Sequence, residues 1–364
     1  MIGLYIHVPF CRKKCPYCDF YSVGFNPEKT PEFSAELAEK YADAVLRNIR
    51  HYNERYDTVY FGGGTPILLS RQIPRILAEI HRTASAEVTV ECNPSEMDEE
   101  TLKILFDCGV NRLSVGVQSV SNRDLRLLGR SHTFEQAKQA ILTANKVGFC
   151  DILVDLMLGL PGQDHVSLVY TISKLRELPI THVSAYLLKI EPNTAFGKNP
   201  PPLPDEEKTA DLYLSAVNML NSARFKQYEI SNFAKGGMTS RHNLKYWRRE
   251  EYIGIGAAAH SFYKGRRFEV ARDLREFINS DHQIELVTDD DPDELEEKIM
   301  LGLRLTEGIP EELYSRVQDG LPLIPKEYYK LENGRLALTP RGFLVSNELI
   351  ATLLSHIKYL GTKL

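Results

Sequence analysis

The chain has 364 residues, 43% of them hydrophobic, which is enough to bury a substantial core in one large α/β domain with a smaller companion. Its 44 lysines and arginines against 49 aspartates and glutamates leave a formal charge of −5, which removes any general electrostatic case for binding nucleic acid or an anionic membrane. The N-terminus shows no basic segment followed by an apolar stretch and a cleavage site, and no apolar run approaches the ~20 residues that span a bilayer, so a cytoplasmic protein without a transmembrane segment is expected.

In chain order, "GLYIHVP" (3–9) predicts a strand, and "CRKKCPYC" follows it directly, with Cys11, Cys15 and Cys18 inside eight positions. "EFSAELAEKYADAVLRNIRHY" has apolar residues at three- and four-residue spacing and predicts a helix. Further strands are expected at "DTVYF" (57–61), "EVTVE" (87–91), "RLSVGVQ" (112–118), "DILVDLML" (151–158) and "THVSAYLL" (181–188). The helix "TFEQAKQAILTANKVG" ends at Gly148 as a C-cap would. Six strands with helices between them imply a parallel α/β sheet. Polar residues gather at the strands' C-terminal ends, which favours an incomplete TIM-type barrel over a doubly wound sheet.

After residue 190 the proline-rich "EPNTAFGKNPPPLPDEE" leads to a helix near 205–223 and a β-like "KQYEISNFA", so 191–289 is expected to be an accessory or lid region. From 290 the charged "DPDELEEKIMLGLRL" and a hairpin turning at Asn333-Gly334 predict a small helical, winged-helix-like domain over 290–364.

Three thiols at i, i+4 and i+7 would share one face of a helix, but Pro16 removes an N–H and clashes with the preceding turn, so the segment is expected to be a loop folded around something. In a reducing compartment a tight cysteine cluster points to metal or redox chemistry. Structural zinc usually takes four ligands from two pairs, and ferredoxin-type clusters take four cysteines; no second pair stands near these three. Three thiolates in one loop suit a [4Fe-4S] cluster with one iron left open to a small chelating cofactor. Cys92, Cys108 and Cys150 stand alone and are expected to be small buried hydrophobes.

The C-x3-C-x2-C spacing with an aromatic before the last cysteine resembles the radical S-adenosylmethionine (SAM) superfamily. Membership implies a radical SAM partial (β/α)6 TIM-type barrel, an α/β fold, over 1–190. There the amino and carboxylate groups of SAM chelate the open iron, and reduction cleaves SAM to a 5′-deoxyadenosyl radical. "FGGGTP" (61–66) lacks the endings of a P-loop and of a dinucleotide fingerprint, and by itself is an ordinary tight turn. In the resembled superfamily the same glycine motif lies against the SAM amino group, which implies Gly63, Gly64 and Thr65 as contacts. Glu91 and Gln118 close two strands, and Asp155 sits in an otherwise apolar one; a buried carboxylate needs a partner or a ligand, and an ordinary ion pair is the alternative. The coproporphyrinogen-dehydrogenase-like branch has matching residues, so Tyr5, Tyr17, Glu91, Gln118, Arg130 and Asp155 are implied to line the SAM site, the glutamate at the ribose hydroxyls and the arginine at the carboxylate end.

Within that branch the oxygen-independent coproporphyrinogen III dehydrogenase carries a fourth cysteine two residues after the third, where this sequence has Phe20, and an N-terminal extension, where this sequence has four residues before Tyr5. The remaining resemblance is to the branch's heme chaperones, in which HNxxYW is characteristic; it appears here as His242, Asn243, Tyr246 and Trp247. This implies heme as a third bound group and a heme-accepting protein as partner, with His242 as a candidate axial ligand, flat apolar surface from Tyr246 and Trp247, and propionate partners in Arg241, Arg248 and Arg249. The plain alternative is a basic amphipathic segment capping the barrel mouth, with His242 hydrogen-bonded in place. His260, after "GIGAAAH", is a competing ligand. Two functions therefore stand: a heme chaperone with a SAM-liganded cluster, and a dehydrogenase that decarboxylates coproporphyrinogen III; RNA or protein modification is disfavoured by the acidic balance.

Overall fold

In the computed structural model, which describes residues 1–358, the six expected strands form as β1 (Ile2–Val8), β2 (Tyr56–Gly63), β3 (Arg82–Cys92), β4 (Arg112–Gln118), β5 (Asp151–Leu158) and β6 (His182–Leu187). They lie side by side in chain order and pair in parallel throughout. Every position of β4 is buried, as its near-continuous apolar sequence requires of a parallel strand covered on both faces. Its one charged residue, Arg112, sits opposite Asp151 in the ladder and is paired with it at 2.6 Å.

Helices return the chain over the outside of this sheet. In α1 (Pro31–Tyr52), Ala38, Tyr41, Val45 and Ile49 recur at three- and four-residue spacing and are all buried. In α2 (Phe134–Val147), Thr133 and Gln136 close a capping box and Gly148 ends the helix at φ 129°, as the sequence predicts. A further long helix is α3 (Glu206–Ser222).

The region after 190 also extends the sheet at both edges. Beyond β6 come the antiparallel β8 (Asn232–Ala234) and β7 (Lys226–Gln227); on the other side of β1 come β9 (Tyr252–Ile255), β10 (His260–Tyr263), β11 (Arg266–Val270) and β12 (Glu285–Asp289). The complete order is β12-β11-β10-β9-β1-β2-β3-β4-β5-β6-β8-β7, with β9 parallel to β1 and the outer pairs antiparallel. The barrel is thus open, its edges finished by further strands: β7 and β8 fall within the expected β-like "KQYEISNFA", whereas β9 to β12 were not expected from the sequence.

Between β8 and β9 runs α4 (Arg241–Trp247), which carries the HNxxYW residues. The Ser240 side chain caps it, and both oxygens of Glu87 accept from its first backbone N–H groups, Arg241 and His242, each at 2.9 Å. Lys245 is held by Asp57 at 3.0 Å and Glu250 at 2.9 Å. Asp57 and Thr58 open β2 and Glu87 lies midway along β3, so α4 packs inside the curve of the sheet, toward the end away from the cysteine loop.

Beyond 290, α5 (Glu294–Gly302) precedes a small antiparallel sheet of β13 (Ile309–Pro310), β14 (Tyr329–Glu332) and β15 (Arg335–Leu338), ordered β13-β15-β14. The expected hairpin is present, with Asn333 and Gly334 both at positive φ. Residues 359–364 of the expected C-terminal region lie outside the described residues. Among the described residues no helix is long and apolar enough to cross a membrane.

Candidate cluster and cofactor site

Residues 11–18 form a loop, not a helix. Its base is fastened by the two-residue pairing of Phe10–Cys11 with Val23–Gly24, and the Phe25 N–H donates to the Cys11 carbonyl at 2.9 Å. One tight turn brings the Cys18 N–H to the Cys15 carbonyl at 3.1 Å. All three thiols line one cavity of about 600 Å³ at the C-terminal ends of the strands. Cys92 is buried, Cys108 half-buried and Cys150 exposed, so the expectation of three buried thiols holds only for the first. Residue 150 falls in the turn between α2 and β5, where the side chain has no core to enter.

The loop fits a cluster better than a single ion. A tetrahedral zinc at ~2.3 Å from each sulfur would gather its thiolates tightly. Among the described residues no group of three or more histidines, cysteines or acidic residues is placed to hold one metal ion. The three cysteines border a cavity of about 600 Å³, which has room for a polynuclear body. Burial raises the Cys11 and Cys18 thiol pKa values, so a cluster must displace protons as it binds. Arg130 supplies positive charge beside it, donating to the Cys15 sulfur at 3.5 Å, to the Gly116 carbonyl at 2.8 Å and to Asn93 Oδ1 at 3.3 Å. Its Nε is buried without a partner among the described residues.

Most of the expected cofactor contacts converge on the same cavity: Tyr17, Gly63, Gly64, Thr65, Glu91, Gln118, Arg130 and Asp155 all line it. Glu91 accepts from the Tyr60 hydroxyl at 2.9 Å and the Gly63 N–H at 3.0 Å, yet burial pushes its carboxyl up to about 7. Asp155 is also pushed to about 7, by burial first and then by the nearby Glu91 charge. Two carboxyls so placed, and without a basic ion-pair partner among the described residues, are not the ordinary salt bridges that stood as the alternative. Thr65 reaches the Cys11 sulfur at 3.5 Å. Gln118 adopts φ 68° at the end of β4, a left-handed conformation rare for its type, and accepts from the Tyr186 hydroxyl at 2.8 Å.

Gly64 meets a tighter constraint than ligand access. A Cβ there would lie 2.6 Å from the Phe10 carbonyl oxygen and 2.9 Å from the Val8 carbonyl oxygen. The glycine lets the end of β2 pass directly under the start of the cysteine loop. Sequence reasoning missed Asn93, Ser114, Asn232 and Asn243, which also line the cavity. Ser114 was accessible from register, since it stands opposite Glu91; Asn232 and Asn243 arrive from distant elements and leave no local signal.

Tyr5 lies elsewhere. It faces a second cavity of about 780 Å³, its ring stacked with Tyr60 and its hydroxyl hydrogen-bonded to His7 Nδ1 at 3.1 Å. The two cavities share Tyr17, Cys18, Phe20 and Tyr186.

His242 does not fit the expected ligand role. Its side chain is 1% exposed; Nδ1 is hydrogen-bonded to Thr58 Oγ1 at 2.8 Å and Nε2 to the Tyr246 hydroxyl at 2.8 Å, with Tyr60 stacked on the ring. Neither nitrogen is open to iron. The flanking arginines are engaged too, Arg248 by Glu307 at 3.3 Å, Arg249 by Glu297 at 2.6 Å and Arg241 by the Ser85 carbonyl at 2.7 Å. Arg304 lies over the Trp247 ring, 6.0 Å from its centroid. The motif is a floor: Asn243 lines the first cavity and Tyr246 the second, while His242 pins the helix beneath them.

Residues 5–175 match the model of the radical SAM superfamily. The heme chaperone HemW of Bacillus subtilis is 34% identical over 98% of this chain and 100% of its own length, and that of Escherichia coli is 38% identical over 71% and 69%. The mitochondrial radical S-adenosyl methionine domain-containing protein 1 of Bos taurus is 33% identical over 100% of this chain and 88% of its own. Among solved structures, the coproporphyrinogen III oxidase HemN of Escherichia coli superposes with a TM-score of 0.78 over 97% of this chain and 89% of its own at 20% identity, a likeness of fold. With 34% identity to the Bacillus subtilis protein over nearly the whole of both chains, and three thiols set at the mouth of a parallel barrel, the chain belongs to the radical SAM superfamily and, within it, to the HemW family.

Proposed function

We propose that this protein is a heme chaperone that carries a [4Fe-4S] cluster on Cys11, Cys15 and Cys18, binds SAM in the cavity beside it, and delivers heme to an acceptor protein. One observation carries the reading: the thiol-lined cavity adjoins a second cavity of about 780 Å³, and Tyr17, Cys18, Phe20 and Tyr186 border both. The first has the polar, carboxylate- and arginine-bearing lining that a charged cofactor needs, and the second is mainly tyrosine and aliphatic, as a large flat apolar cargo needs. SAM chelating an open cluster iron supplies one-electron chemistry. The chain's own part is to hold it: Arg130 provides a fixed cation at the cluster edge, and Glu91 and Asp155 provide carboxyls able to accept hydroxyl or ammonium protons.

The division into a barrel over 1–190, an accessory region over 191–289 and a C-terminal unit over 290–364 belongs to this proposal, with the accessory strands β9 and β10 walling the second cavity. The dehydrogenase alternative has only the fold likeness to HemN behind it, and Phe20, at the position of that enzyme's additional cysteine, is 61% exposed on the shared wall. Anaerobically reconstituted protein should change its reduced-cluster electron paramagnetic resonance signal on adding SAM and form no protoporphyrinogen IX from coproporphyrinogen III. Measurable decarboxylation of that substrate would restore the enzyme reading, and a spectrum unmoved by saturating SAM would remove the open iron.

A further inference from the structure

With His242 sealed in the floor, the described imidazoles that reach the second cavity are His7 and His260. His7 is buried and committed: Nδ1 is hydrogen-bonded to the Tyr5 hydroxyl at 3.1 Å and Nε2 to the Tyr21 carbonyl at 2.9 Å. His260 is different. Its side chain is 64% exposed, and one ring nitrogen faces Glu269 at 3.5 Å, directly across the β10–β11 ladder. The other nitrogen has no hydrogen bond among the described residues. An imidazole with a carboxylate behind it and a free lone pair is how proteins orient and strengthen a histidine toward a metal.

The backbone that presents His260 is tightly fitted. A Cβ at Gly254 would lie 2.2 Å from the His260 carbonyl oxygen, and one at Gly256, which has φ +111°, would lie 2.6 Å from the His7 carbonyl oxygen. Ala258, between Gly256 and His260, takes φ 68°, a left-handed conformation for a residue with a Cβ, and lines the cavity. "GIGAAAH" therefore packs a strained turn against β1 and delivers His260 to the cavity mouth. Arg272 stands on the same rim with no hydrogen bond or ion pair among the described residues, in contrast to the paired Arg248 and Arg249 that follow α4. Tyr186, Tyr246 and Tyr252 line the same cavity and supply flat ring surface.

We infer that the cavity between the cysteine loop and the β9–β10 turn is the heme seat, with His260 as an axial iron ligand, Glu269 orienting it, and Arg272 pairing with a propionate. This rests on the heme-chaperone reading and assigns its site. The iron would sit at the open side of the imidazole and the macrocycle against the tyrosines, separated from the cluster by the Tyr17–Phe20 segment.

The test titrates hemin into the anaerobically reconstituted full chain and follows the Soret band, with heme stoichiometry from the pyridine hemochrome. His260→Ala should shift the band and weaken binding about tenfold or more, and added free imidazole should restore the wild-type band. Arg272→Gln should weaken binding with the band position kept. Because His260 is mostly in solvent, the variant keeps its fold, which an unchanged thermal midpoint verifies. A His260→Ala protein with wild-type band and affinity overturns this site and leaves the chaperone reading standing. A wild type that takes up no heme overturns both.

Discussion

Alanine at any one of Cys11, Cys15 or Cys18 is expected to leave the anaerobically reconstituted protein with little bound iron and sulfide, a loss of about tenfold or more, while alanine at Cys92, Cys108 or Cys150 leaves the content unchanged. These three thiols share one loop; Cys92 also borders the cavity but stands on β3, buried, with its thiol donating to the Val90 carbonyl at 3.5 Å, and Cys108 and Cys150 lie away from the cavity. The loop's base pairing with Val23–Gly24 does not depend on the thiols, so the variants should fold and fail only in loading. Arg130→Ala should lower retention without abolishing it, since the guanidinium assists one sulfur from outside. Full retention in the triple variant, or loss on replacing Cys92, would overturn the assignment.

The second large effect concerns stability. His242→Ala should destabilise the protein by about 3–5 kcal/mol, because it opens a hole beneath two tyrosine rings and strands the Thr58 and Tyr246 hydroxyls in the interior. His242→Gln, which keeps a hydrogen-bonding end, should cost about half of that. Hemin bound by the folded fraction should keep its Soret band in both variants. Burial lowers the His242 pKa to about 3, so the ring stays neutral through the physiological range, and heme binding should show no inflection from this residue between pH 5 and 8. The sign is definite: a histidine whose folded pKa lies below its unfolded value of ~6.5 loses native stability as pH falls from that value toward 3. A band shift in His242→Ala at unchanged stability would return the ligand role to this residue.

The parallel strands were legible because each is a short β-rich run between amphipathic helices, and the cysteine loop because Pro16 forbids a regular helix in it. Glu91, Gln118 and Asp155 could be singled out because polar groups in apolar strands need a reason. The strands beyond β1 could not: β9 is four residues with an internal glycine, and β12 is exposed along its whole length, so neither has a periodic signature. The choice between the two readings of His242 could not be made from sequence for a different cause. Its partners Thr58 and Glu87 are 184 and 155 residues away in sequence, and no local pattern distinguishes an imidazole offered to solvent from one locked between distant strands. Tyr5 faced the other cavity for a related reason, since its place depends on how Tyr60 and His7 pack around it.

The central claim is that two adjoining cavities hold two different groups at once. Anaerobically reconstituted protein saturated with SAM and then titrated with hemin, with both bound species quantified after gel filtration, measures this directly. The account predicts one heme and one SAM per chain with cluster iron undiminished. Stoichiometric release of SAM as heme binds, at constant cluster iron, would mean a single shared cavity and would contradict it.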